Sequence, residues 1–98
     1  MEEVLIQTDN VSVRIVELEA GGALPWHHHS EVTDHIFALD GEIEVQFRSA
    51  EEKVVLAPGQ RCEVATGRVH RVMNMCKRKT KYLLIQDVGK YDFNKVGS

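Results

Sequence analysis

Hydrophobic and polar residues alternate with a period of two through much of this chain. Val11, Val13 and Ile15 alternate with Ser12 and Arg14, and Ile43, Val45 and Phe47 alternate with Glu42, Glu44, Gln46 and Arg48. Successive strand side chains point to opposite faces, so this period predicts β-strands rather than helices. Further strands are predicted over Val4–Thr8, Asp34–Leu39, Lys53–Ala57, Arg61–Ala65, His70–Met75 and Lys81–Val88. Glu42–Leu56 can be forced into a helical pattern, but its β-branched content and strict alternation favour strands.

Turn residues punctuate these runs. Ala20-Gly21-Gly22 ends the second strand, Asp40-Gly41 is a tight-turn dipeptide, and Ser49–Glu52 closes a hairpin. Pro58-Gly59 and Thr66-Gly67 mark two more turns. About eight short strands at this spacing, with no amphipathic helix, predict a small antiparallel barrel or sandwich.

Composition narrows the function class. A chain of 98 residues buries one core and is expected to be one domain, residues 1–98. A net charge of −3 gives no nucleic acid a general reason to bind. The one dense basic run, Cys76-Lys77-Arg78-Lys79-Thr80-Lys81, has no accompanying aromatic platform and reads as a solvated hairpin tip. No apolar run approaches a membrane span, and Met1-Glu2-Glu3 lacks the basic-then-apolar layout of a secretory leader, so a cytoplasmic location is expected. Cys62 and Cys76 form neither a disulfide framework nor a CxxC motif. They read as buried free thiols, with a pocket-lining thiol as the alternative.

The chemistry concentrates in Trp26-His27-His28-His29 and in a distant His70. On a strand His27 and His29 share a face and can reach one ion, while His28 points away. Asp34 follows a short polar stretch and can swing back beside them, and His70 can join from another strand. Three imidazoles and a carboxylate suit Fe, Mn, Ni, Zn or Cu, and ligand type alone does not choose among them.

The spacing resembles a known family. Gly21-x5-His27-x-His29-x4-Asp34-x6-Gly41 resembles the first cupin motif (21–41), with Asp where the family has Glu. Gly59-x5-Ala65-x-Gly67-x2-His70-x3-Asn74 resembles the second (59–74), with Ala65 where the family has Pro. The resemblance implies an all-β antiparallel jelly-roll barrel of the double-stranded β-helix type. It also implies a metal held by His27, His29, Asp34 and His70, and hairpin corners at Asp40-Gly41 and Thr66-Gly67. Asp34 is one methylene shorter than Glu, and Glu31 is a substitute at the wrong offset.

Residues nearby carry two readings each. Trp26 is a barrel-edge or interface aromatic, or a pocket wall. Asn74 bonds a pocket group or satisfies backbone at a strand end. By parity His28 and His35 face outward, Met73 and Met75 fill core or interface, and Ile36, Ala38 and Val72 line an apolar cavity floor. Tyr91 and Phe93 give the tail a reason to dock.

The function expected is a metal-dependent enzyme of the small single-domain cupin type acting on a small oxygen-rich molecule. A dioxygenase, or a sugar or sugar-acid isomerase or lyase, fits. The alternative is a non-enzymatic module that binds a small molecule. Small cupins resembling this one pair as homodimers, and Val4–Thr8 and Tyr82–Ile85 are candidate surfaces.

Overall fold

Inward-facing apolar side chains on two stacked β-sheets organise the molecule. The computed structural model describes residues 1–49 and 52–97. In chain order the strands are β1 (Glu2–Gln7), β2 (Ser12–Leu18), β3 (His27–His28), β4 (Thr33–Asp40) and β5 (Ile43–Phe47). They continue as β6 (Lys53–Leu56), β7 (Arg61–Val64), β8 (His70–Met73), β9 (Thr80–Asp87) and β10 (Asn94–Lys95). One sheet has the order β1-β2-β9-β4-β7 and the other β10-β3-β8-β5-β6, with every pairing antiparallel. The jelly-roll class expected from sequence is therefore present, but the two sheets face each other rather than closing into a barrel.

Val16, Leu18, Ile36, Ala38, Val64, Tyr82 and Leu84 of the first sheet meet Ile43, Val45, Phe47, Leu56 and Val72 of the second. This core fixes the register. Slipping β4 by one residue would turn Ile36 outward and His35 inward, and each apolar side chain lost from the core costs about 1.5–3 kcal/mol. The same register aims Asp34 inward.

The eight predicted strands all form, most with ends displaced by a residue or two and β2 running three residues further, to Leu18, while β3 and β10 are additional. Their connections differ from the hairpin reading. Asp40-Gly41 and Thr66-Gly67 are not hairpin corners, because β4 and β5, like β7 and β8, lie in opposite sheets. The basic run likewise crosses between sheets from β8 to β9. Crossing turns need sharp reversals, and Gly41, at φ 80°, shows the constraint. A Cβ there would also lie 2.6 Å from Thr80 Cγ2. The predicted turn at Ser49–Glu52 joins paired strands β5 and β6, although residues 50 and 51 lie outside the described residues.

Parity holds on β2, but polarity does not follow it. Ser12 is buried and Arg14 half-buried on the inner face, while Val13 and Ile15 lie on the outer face. β9 is central in its sheet, with Tyr82 and Leu84 buried, so Tyr82–Ile85 offers no free strand edge. β1 is an edge strand and every one of its residues is exposed.

The free thiols are half-buried rather than buried. Burial raises the Cys62 thiol above its ordinary range, which disfavours the reactive thiolate. Met75 is 64% exposed and fills no core. Arg78 pairs with Asp40 and Lys79 with Glu17 at the exposed basic turn, contacts worth about 0–1 kcal/mol each.

Candidate metal centre

Strand pairing places the four candidate ligands. His27 on β3 is the direct cross-strand partner of His70 on β8. His29 follows β3. Asp34 on β4 pairs with Gln86 on β9 and Val64 on β7, so it faces the histidines across the gap between the sheets. All four are buried, and one ligand atom from each lies within 4.8 Å of the others.

The backbone sets the imidazole tautomers. His27 Nδ1 is 2.8 Å from the Pro25 carbonyl, His29 Nδ1 is 2.6 Å from the Asp92 carbonyl, and His70 Nδ1 is 2.9 Å from the Arg68 carbonyl. A carbonyl only accepts, so each Nδ1 donates, and in the neutral rings all three Nε2 lone pairs remain free.

Two of those lone pairs face a carboxylate. Asp34 Oδ2 is 3.1 Å from His29 Nε2 and 3.0 Å from His70 Nε2, while Asp34 Oδ1 accepts from Gln86 Nε2 at 3.0 Å. Acceptor atoms this close need a proton or a cation between them. Burial opposes charge on Asp34, yet hydrogen bonds from His29 and His70 outweigh it and hold the carboxyl well below its usual range. Burial likewise pushes the His29 imidazole down, but Asp34 prevails and raises it above 6.5. His27, opposed chiefly by burial, is lowered to about 4.

This donor set fits a divalent ion. Asp34 Oδ2 lies 3.1 and 3.0 Å from two imidazole nitrogens, close enough for one ion to take all three as ligands. The shorter Asp34 side chain therefore reaches the cluster. Glu31 does not, being exposed and accepting from the Lys90 amide at 3.2 Å.

His35 pairs with Asp87 at 2.9 Å, away from the cluster. Asn74 satisfies backbone, with Nδ2 directed at the carbonyls of Leu18, Glu19 and Arg78. Ile36 and Val72 line the cavity, whereas Ala38 belongs to the core. Trp26 stacks under Arg71, 4.4 Å from the guanidinium carbon, and lines a different depression. Neither cysteine joins the centre.

The tail contributes more than docking. β10 pairs with β3, Phe93 stacks on His27 at 4.2 Å between ring centres, and Tyr91 lies 5.5 Å from His29. Both aromatics wall a cavity of about 50 Å³ beside the four candidate ligands. Glu2, Arg14, Tyr82 and Gln86 also line it. Period-two parity from Asp34 across paired strands would have found Gln86 and Arg14, but that pairing is invisible in one sequence.

The cupin domain family model matches residues 14–86. No curated protein shows a significant match to the sequence. Among solved structures, a Klebsiella pneumoniae protein with a double-stranded beta-helix domain has a TM-score of 0.86 at 19% identity, covering 100% of this chain and 84% of that one. The polyketide cyclase RemF of Streptomyces resistomycificus has a TM-score of 0.83 at 18% identity, covering 99% and 70%. An oxalate oxidase has a TM-score of 0.78 at 22% identity, covering 89% of this chain and 46% of the other. At such identities these likenesses speak to the fold, and this chain spans less than half of the oxidase.

Proposed function

The chain belongs to the cupin domain family, and on that premise we propose that His27, His29, Asp34 and His70 hold one divalent metal in a metal-dependent enzyme. Its substrate is a small oxygen-rich molecule. One observation carries this reading. Three imidazoles are locked by backbone carbonyls with their Nε2 atoms convergent on a buried carboxylate, a dense set of acceptors that a cation neutralises.

When bound, Fe, Mn, Ni, Zn or Cu would polarise substrate oxygens and acidify a bound hydroxyl. The chain's own residues do the rest. Ile36, Val72, Leu84 and Phe93 exclude bulk water on the apolar side, and Gln86 fixes the Asp34 carboxylate from behind. Dioxygen-dependent oxidation and sugar or sugar-acid isomerisation or elimination both draw on such chemistry. The neighbours named oxalate oxidase and polyketide cyclase indicate that this fold serves more than one reaction.

A non-enzymatic binding cupin is the second reading, favoured by the tail that lies across the centre with Phe93 stacked on His27. Anaerobic reconstitution with each candidate ion, followed by metal analysis and turnover assays, separates the two. About one retained ion per chain is expected, and turnover marks the enzyme. Sub-stoichiometric retention of every ion overturns the metal reading.

We also propose a homodimer. Val13, Ile15, Phe37, Leu83 and Ile85 form a half-buried apolar patch on the outer face of the first sheet, a surface suited to two-fold sheet-on-sheet packing.

A further inference from the structure

The cavity beside the metal centre holds polar groups that the centre does not use. Arg14 on β2 faces inward and its side chain is only 12% exposed. Its Nε donates to Ser12 Oγ at 2.8 Å, and its guanidinium carbon lies 4.6 Å from the centre of the Tyr91 ring. Its contact with Glu2 Oε2 is long, at 3.5 Å, and the Glu2 side chain is half in solvent. Part of the guanidinium fork is thus left for a ligand.

Two further groups are buried without partners. The Tyr82 hydroxyl and Gln86 Oε1, both on β9, make no hydrogen bond although each residue is 1% exposed. Leaving such an atom unsatisfied costs about 1–3 kcal/mol, so two in one cavity call for an occupant. The strand registers set them along one inner face, with Arg14 between Tyr82 and Gln86, and all three line the cavity. Gln86 lies between Ser12 and Asp34, Leu84 between Arg14 and Ile36, and Tyr82 between Val16 and Ala38. Burial keeps the Tyr82 hydroxyl protonated, so it donates.

We propose that Arg14, the Tyr82 hydroxyl and Gln86 Oε1 form an anion subsite that selects a small carboxylate bearing an adjacent hydroxyl. Arg14 and Tyr82 donate to the carboxylate, and Gln86 Oε1 accepts from the neighbouring hydroxyl. The fork of an arginine matches a carboxylate in two places. Glu2 competes weakly for Arg14 and swings outward when the ligand enters. The cavity of about 50 Å³ beneath Tyr91 and Phe93 favours compact acids. This assignment rests on the proposed metal centre for its setting but not for its charge recognition.

The test titrates 2-hydroxyacetate, and its uncharged analogue 1,2-ethanediol, into zinc-loaded and metal-free protein by calorimetry, with metal content measured separately. The zinc-loaded protein is expected to bind the acid at least tenfold more tightly than the diol. Arg14→Gln should weaken acid binding at least tenfold without changing metal content, with Arg14→Lys restoring only part. Tyr82→Phe, which removes one hydroxyl from a folded core, should weaken it severalfold, and Glu2→Gln should strengthen it. In metal-free protein binding should be weaker yet still depend on Arg14. Equal binding of acid and diol, no binding of the acid, or wild-type acid affinity in both Arg14→Gln and Tyr82→Phe would overturn the subsite, leaving an ordered water as the occupant. Failure of the reconstituted protein to retain zinc, with Arg14-dependent acid binding intact, would instead refute the metal reading alone.

Discussion

Replacing Asp34 by Asn separates the metal-binding role of this carboxylate from any role in holding the fold. The two side chains have nearly the same shape. An amide nitrogen in place of Oδ2 can donate to His29 Nε2 and His70 Nε2, now 3.1 and 3.0 Å away, while the amide oxygen keeps the Gln86 bond at 3.0 Å. The metal-free variant keeps all three contacts of position 34 and carries no buried charge there, so its stability should stay within about 1 kcal/mol of the parent or exceed it. Metal binding should suffer. Loss of a group that merely supports a ligand costs about 10–100-fold in affinity, so loss of an anionic ligand should cost at least about 100-fold. At zinc one hundred times above its dissociation constant the parent gains about 2.7 kcal/mol. For a domain of this size that raises the melting temperature by about 11–22 °C. The same zinc would stabilise Asp34→Asn by only about 0.4 kcal/mol, a rise of about 2–3 °C. Differential scanning calorimetry with and without zinc reads both quantities. A zinc-induced rise in Asp34→Asn equal to the parent's refutes the ligand role, and a metal-free variant melting far below the parent makes Asp34 structural.

Three further outcomes follow from the same geometry. Asn74→Ala strips partners from three carbonyls and from the Cys76 amide, so it should cost about 3 kcal/mol in urea denaturation while the folded protein keeps its metal stoichiometry. Because His29 is raised above 6.5 in the metal-free protein, it carries a proton through a window above that pH, which a metal must displace. That proton stabilises the metal-free fold fully below pH 6.5, and the contribution disappears as pH rises through the raised value. Metal affinity should therefore climb with pH across the window, about tenfold per pH unit for each proton displaced, and affinity independent of pH between 6 and 8 would contradict it. Leu83, flanked by Ile15 and Phe37 in register, centres the outer apolar patch. Light scattering should give twice the chain mass for the parent and a monomer for Leu83→Lys, and a monomeric parent would count against the dimer.

Much of this architecture is legible in the sequence, and the illegible part has a physical pattern. Local period-two alternation reveals β2, β4, β5 and β9 because strand geometry depends only on neighbouring residues. It also separates His28 and His35 from the cluster. The motif spacing joined His27, His29, Asp34 and His70 across 44 positions, and the structure brings all four together. Which sheet each strand joins depends on long-range pairing. For that reason the turns at Gly41 and Gly67 read as hairpins yet cross between sheets. The inner face of β2 was equally hidden, since Ser12 and Arg14 look solvent-facing until β9 places them beside Gln86 and Leu84. β10, only two residues long, has no period to detect, so Phe93 on His27 is a purely tertiary fact.

X-ray absorption at the edge of the reconstituted metal examines the centre itself. The spectrum should show three imidazole nitrogens and one carboxylate oxygen around the metal at about 2.0–2.2 Å, with multiple scattering from three rings. A shell with no more than one imidazole would contradict this assignment.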